Sequence, residues 1–514
     1  MRILLVVIDS ATPRVVCPAI QTGRLPTLRR LMEAGTMHQE SVSIFPSITP
    51  AATTSIATGA YPAEHGIIGA SWYEPDRNEV AYYGDDFWVI AREGFGTFLR
   101  DFLLKLNGDR LRAPTLFELV ERSGRAAACV NYLLFRGLHE HRVNVPWLLS
   151  LLPGVPFTET VQGPSVLFLG DFVQTWRGHK RRKRKREQGL LHRFGMDDAS
   201  TARFLGEIAE ERGFPDLTIA YFPDTDFRSH NVGPHDALPT VERVDAALAD
   251  MFDRAGGLTR FLDDSCVIVT SDHGHCEVLD DTEQATIHLD DELEGLRQAK
   301  LGRPWRKSDQ IMICPNLRTA QIYVREPTKD LVERIAGMAL RNPRIDQVIW
   351  RTRLTRRAGR GATVATARGR LEFWAGTDGP ESGRDAFGTT WSWRGNSEAL
   401  ALEKDGGRVE SRDYPNAFER IVGALAAPHS GELWITARPG YEFAVPGTTT
   451  HVGGASHGAL HALDSFSPLI MAGGSARRRL PRHLRSVDIA PLCMELLGIP
   501  MRYAVGDPRR PTRS

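Results

Sequence analysis

Short runs rich in β-branched and aliphatic residues recur along the chain, with Asp, Gly or Pro nearby. They are Ile3–Ile8, Ala126–Tyr132, Ser165–Leu169, Leu217–Phe222, Cys266–Thr270, Ala320–Val324, Leu433–Thr436 and Pro468–Met471. Runs of this length without polar alternation suit strands covered on both faces, as in a parallel sheet. Between several of them the apolar positions switch to helical spacing. Residues 26–34 form one such segment, stopped by Gly35, and 115–122, 202–212, 239–255, 329–339 and 417–427 behave alike. The segment 487–497 ends on Gly498 and Pro500, the usual helix stop. The alternation predicts an α/β fold, a doubly wound and mostly parallel sheet with helices on both faces.

Two stretches break the alternation. Residues 139–199 mix Pro-rich apolar sequence with a basic run, Lys180 to Arg186. Residues 280–428 are polar and Gly-rich and carry Trp305, Trp350, Trp374, Trp391 and Trp393. Both read as insertions that cap a site. The expected organisation is therefore a core of 1–138, 200–279 and 429–514, with insertions at 139–199 and 280–428. The tryptophans are expected to form the cap's own core. The basic run is expected to be a solvated loop; as a functional patch it would attract anionic lipid, nucleic acid or a polyanionic substrate.

Composition narrows the class. The 514 residues are 42% hydrophobic and 25% charged, ordinary for a globular chain able to bury a core without staples. The charge is +1, from 64 basic and 63 acidic residues, which argues against a stable nucleic-acid or membrane partner. Cys17, Cys129, Cys266, Cys276, Cys314 and Cys493 include no CxxC pair and read as free thiols of a reducing compartment. The first apolar run stops at Asp9, short of the ~7–15 residues of a signal-peptide core. No stretch approaches the ~18 apolar residues of a membrane span. A cytoplasmic protein is expected.

Candidate chemistry gathers just beyond the predicted strands. Asp9 ends the first. Asp226 and His230 follow the run 217–222, Asp272 and His273 follow 266–270, and His457 follows the Gly-rich stretch 452–456. Ligands of open α/β sheets bind outside the carboxyl ends of the strands. Three carboxylates brought together there repel and raise one another's pKa, a penalty that divalent cations remove. Imidazole and carboxylate without thiolate suit zinc, and also manganese or iron. Thr49 precedes Pro50 and reads as the N-cap of a helix running to about Thr58, stopped by Gly59. A hydroxyl there sits at the positive end of a helix dipole.

These residues together resemble the alkaline phosphatase superfamily, specifically its type I phosphodiesterase/nucleotide pyrophosphatase branch. The likeness covers residues 1–70, 216–275 and about 430–500. Thr58-Gly59-Ala60-Tyr61-Pro62 through His65-Gly66-Ile67 fits TGxYPxxHGI, and Asp226 with His230 gives D-x3-H. Ser271 to Gly274, Ser456 to Gly458 and the C-terminal segment 487–500 complete the set. The resemblance implies an alkaline-phosphatase-like fold and two divalent ions, zinc or alternatively manganese or iron. One would be held by Asp226, His230 and His457. The other would be held by Asp9, Asp272 and His273, with Thr49 as its catalytic ligand. Thr49 would attack phosphorus and form a phospho-threonine intermediate on a small-molecule phosphate ester or phosphonate.

The family usually carries an Asn just after HGI that donates to a phosphoryl oxygen; here the chain has Ala70. Rival ligands also stand close by in sequence: Asp224, His235, His275, His451 and His461. A phosphonate (C–P) hydrolase and a phosphomonoesterase fit the same mechanism. A catalytically weakened binding or scaffold module is the alternative of another class.

Overall fold

Strand Arg2–Ile8 lies at the centre of the molecule. Its side chains alternate between two apolar clusters, Ile3, Leu5 and Val7 in one and Leu4, Val6 and Ile8 in the other. This is the period-two pattern of a strand covered on both faces. The computed structural model describes residues 1–83, 100–144, 159–176, 193–211, 213–300, 303, 305–352, 361–444, 450–474 and 480–501. The basic run 180–186 lies outside the described residues.

Leu217–Phe222 and Ser265–Thr270 flank the central strand in parallel. Ala127–Val130 and Val166–Leu169 extend the parallel order outward. Antiparallel strands finish the eight-stranded sheet, Phe466–Gly473 with Gly35–Val42 beyond it at one edge and Val173–Trp176 at the other. Helices Pro13–Gln21, Pro26–Ala34, Asp198–Glu211 and Leu238–Arg254 cover one face. Helices Thr49–Thr58, Leu116–Arg122 and Ile489–Leu496 cover the other. The α/β architecture with a large, mostly parallel sheet is as expected.

A second sheet has ten strands, between Ile311–Asn316 and Leu433–Ala437 in sequence. Its neighbours are antiparallel, except where Glu381–Arg384 meets Arg408–Ser411. Thr319–Val324 and Leu433–Ala437 belong here, although their apolar runs read as strands of the parallel sheet. The physical reason is that this sheet is also covered twice. Met312, Cys314 and Tyr323 pack into the main core, while Ile311, Ile313, Ile322 and Val324 pack with helix Lys329–Ala339. Phe466–Gly473, read in the same way, joins the main sheet but runs antiparallel.

Trp350, Trp391 and Trp393 are buried in the apolar clusters of this second sheet, as expected of a cap's own core, whereas Trp305 packs against the main core beside Tyr73 and Trp374 lies outside the clusters and donates to Asp378. All six cysteines are free and buried. Among the described residues no helix is long and apolar enough to cross a membrane.

Candidate metal and nucleophile site

Three strand ends, one glycine-flanked loop and one helix start deliver the expected residues to one place. Asp9 follows Arg2–Ile8 and is fixed by its backbone N–H on Phe222 O at 3.0 Å. Tyr221 Oη donates to Asp9 Oδ2. Asp226 and His230 lie one turn apart on helix Asp224–Asp236, so D-x3-H puts both on one face, with His230 Nε2 3.4 Å from Asp226 Oδ2. Asp272 and His273 follow Ser265–Thr270, and Asp272 Oδ1 accepts from Ser10 N and His273 N. His457 arrives between close-packed glycines. A Cβ on Gly454 would stand 2.0 Å from His230 O, and one on Gly458, at φ +114°, 2.7 Å from Ile48 Cδ1.

The side chains form two overlapping groups whose donor atoms lie within 4.8 Å of one another: Asp226, His230, His275 and His457, and Asp9, Asp226 and His273. Asp272 stands against the second, its Oδ2 3.4 Å from His273 Nε2, while Asp9 Oδ1 is 3.6 Å from the same nitrogen. All seven expected residues are therefore neighbours, with Asp226 between the groups. Thr49 is the first residue of helix Thr49–Thr58 rather than its N-cap, a role Ile48 takes. Its Oγ1 does not cap the helix. It sits 3.0 Å from His273 Nε2, half-buried among fully buried neighbours.

The donor set fits a cation. Nδ1 of His230, His273 and His457 lies 2.7–3.1 Å from a backbone carbonyl, of Ala455, Gly274 and Ser47 respectively. A carbonyl accepts only, so each Nδ1 carries the proton and each Nε2 keeps its lone pair for the centre, as second-shell bonds do for metal-bound histidines. Asp9 Oδ1, Asp226 Oδ1 and Asp272 Oδ2 are buried and make no hydrogen bond, which is costly unless a cation balances them. The electrostatics agree. Burial first, then the charges of Asp272 and Asp226, push the Asp9 carboxyl well above the usual carboxylate range. Burial works the same way on Asp226, but His230 and His275 outweigh it and hold that carboxyl well below the range. Burial drives His457 well below an ordinary imidazole, with neighbouring His273 adding to it.

The rivals sort cleanly. Asp224 pairs with Arg193 and accepts from Asp198 N. His461 Nδ1 accepts from Leu463 N at 3.2 Å, and His235 is exposed. His451 packs against His230 with centroids 3.9 Å apart and rings tilted by 33°, but bonds Glu442. His275 is the rival that joins the cluster. The signal in sequence is its spacing from His273, since alternate residues of extended backbone share a side. Asn316 reaches the loop where Ala70 stands, yet its Oδ1 accepts from Ala70 N and Ser71 N and its Nδ2 donates to Ser71 O and Cys314 O. It therefore holds the loop, and its amide does not take the place of the missing Asn.

Comparison with known proteins bears on the fold and the family. Over 82 residues the chain is 32% identical to human ectonucleotide pyrophosphatase/phosphodiesterase family member 1, a stretch that spans 14% of this chain and 9% of that relative. Among solved structures it resembles murine ectonucleotide pyrophosphatase/phosphodiesterase 5, with TM-score 0.56 and 12% identity over 98% of this chain and 97% of the other. It also resembles phosphonoacetate hydrolase from Sinorhizobium meliloti 1021, with TM-score 0.53 and 18% identity over 96% and 95%. At these identities the likeness establishes the shared fold. The model of the type I phosphodiesterase/nucleotide pyrophosphatase family matches residues 3–357, and the chain belongs to that family.

Proposed function

We propose that this chain is a metal-dependent phosphohydrolase, a phosphodiesterase or nucleotide pyrophosphatase, with Thr49 as nucleophile. The observation that carries the reading is the Thr49 hydroxyl, 3.0 Å from His273 Nε2 beside two buried Asp/His groups. Asp9, Asp272 and His273 would hold one divalent ion on the Thr49 side, and Asp226, His230 and His457 the other. When bound, the ions supply positive charge that favours the threonine alkoxide and offsets charge on the phosphoryl oxygens.

The chain's own residues do the rest. Thr49 Oγ1 forms a bond to phosphorus as the ester oxygen leaves, giving phospho-threonine; water then breaks the Thr49 O–P bond and restores the hydroxyl. The first turn of helix Thr49–Thr58 turns its positive end toward the phosphoryl group. Tyr221 Oη holds Asp9, and the carbonyls of Gly274, Ser47 and Ala455 hold the imidazoles in one tautomer.

The test is hydrolysis of bis-p-nitrophenyl phosphate by the full chain with Zn²⁺ or Mn²⁺. Thr49→Ala should lower turnover by about 10³-fold or more while still binding metal. Turnover like that of the unaltered chain in this variant would refute the nucleophile. Phosphomonoesters and phosphonates run beside the diester decide between the hydrolase classes.

A further inference from the structure

His275 stands where a ligand stands, although it belongs to neither triad assigned above. It is fully buried, and its ring centroid lies 4.8 Å from that of His230 and 4.9 Å from that of His457. Its Nδ1 is 2.6 Å from Ser229 Oγ, one residue before His230 on the same helix. Its Nε2 lies 3.0 Å from Asp226 Oδ1, yet both atoms are without a hydrogen bond. The nitrogen is close to the carboxylate but is not directed at it in the way an N–H donor would be.

At 3.0 Å the distance alone fits either a hydrogen bond or a shared cation, and the arrangement of the ring bears on which. Donors about 2.0–2.2 Å from a common tetrahedral zinc stand roughly 3.3–3.5 Å from one another. Around Asp226 the imidazole nitrogens lie at 3.0 Å for His275, 3.4 Å for His230 and 3.6 Å for His457. His275 thus repeats the arrangement of the other two, with Nδ1 on an outer partner and Nε2 facing the shared carboxylate. A serine hydroxyl can accept the Nδ1 proton, which leaves the Nε2 lone pair for a cation.

We infer that His275 is a fourth protein ligand of the ion held by Asp226, His230 and His457, so that this ion is closed by the chain while the one beside Thr49 keeps an open position. Sites with four protein donors are characteristically tight, and those with three leave room for substrate. The two ions are then unequal: the Asp226 ion binds first and anchors the centre, and substrate attaches on the Thr49 side.

The inference rests on the two-ion reading, so the experiment measures each separately. The full chain is stripped with chelator and reloaded with Zn²⁺. Bound zinc is counted, and X-ray absorption at the zinc edge reports the imidazoles around it. His275→Ala is compared with the unaltered chain, and His457→Ala serves as the control for loss of one imidazole. His275→Gln is a second variant of similar size in case alanine disturbs folding. Metal affinity alone would not discriminate, because losing an outer-shell partner already costs roughly 10–100-fold. The expected result is two zinc ions in the unaltered chain, with an imidazole signal that drops in both His275 variants by as much as in His457→Ala. Two bound ions with an imidazole signal unchanged in the His275 variants, and reduced only in His457→Ala, would overturn the inference and leave the two-ion reading standing. Failure of the unaltered chain to bind two ions would overturn both.

Discussion

His65 shows how much one buried side chain can couple stability to pH. It is fully buried, with Nε2 3.0 Å from Ser55 Oγ and Nδ1 accepting from Ile67 N at 3.1 Å. Burial drives its pKa down to about 3, whereas an unfolded histidine titrates near 6.5. Between these values the unfolded chain holds one more proton than the native chain. Stability therefore rises with pH across that window and is lost as pH falls below about 6.5, at up to about 1.4 kcal/mol per pH unit. Urea midpoints measured from pH 7 to pH 4 should fall less steeply for His65→Gln than for the unaltered chain, and parallel slopes would reject the assignment. The position of His65 is legible in sequence as part of TGxYPxxHGI; its bond to Ser55 is not, because it depends on how a short helix packs back on its predecessor. The same contrast holds across the site. Asp9, Asp226, Asp272 and His273 announce themselves by following strands, while separating His275 from His235 or His451 takes three-dimensional distances.

One element locks the segment before Thr49 from outside the main sheet. Helix Ala417–Leu425 carries the fully buried Arg420, whose Nη1 donates to Pro415 O and Leu460 O at 3.0 Å. Its Nη2 donates to Ile44 O, Ser47 Oγ and Ser465 Oγ at 2.7–3.2 Å. Burial without a carboxylate in contact pulls the guanidinium down to about 9. A lysine cannot reproduce this planar fork. Arg420→Lys should leave several buried acceptors unmade and destabilise the fold by about 2–5 kcal/mol. It should also lower turnover through the shifted Thr49 segment. Thermal unfolding together with diester hydrolysis reads both effects, and a variant unchanged in both would remove Arg420 from this role. Helical spacing alone predicts this helix, but its partner at Ile44 is 376 residues away, beyond any local pattern. The runs 320–324 and 433–436 do not reveal their place in the second sheet for a related reason. An apolar run such as 320–324 records burial on two faces and says nothing of the direction of its neighbours.

At the scale of the molecule, the centre ties together segments that no continuous stretch of chain connects. Ions that bind only the native arrangement add stability by mass action, about 4 kcal/mol at a free concentration 1,000 times the dissociation constant. Chelator should therefore lower the unfolding temperature by several degrees, and Zn²⁺ should restore it. Thr49→Ala should behave in the same way, since it keeps the Asp and His donors. An unfolding temperature indifferent to chelator in the unaltered chain would count against a resident metal. The parallel sheet with helices on both faces was legible because each element carries its own periodicity. The ten-stranded sheet was not, because most of its strands, such as Gly369–Ala375 and Thr390–Gly395, mix polar and apolar residues and carry no continuous apolar run.

His457 has a consequence for how the protein is born. The donors run from Asp9 to His457, 448 positions downstream. At about 5–20 residues per second, a ribosome needs roughly 20 to 90 s to travel between them. During that interval the nascent polypeptide carries the threonine, the first aspartate and then successive histidines without the last of them. The Thr49 hydroxyl would lack the last of its expected partners until position 457 has been translated, so a product truncated before it is expected to show no turnover.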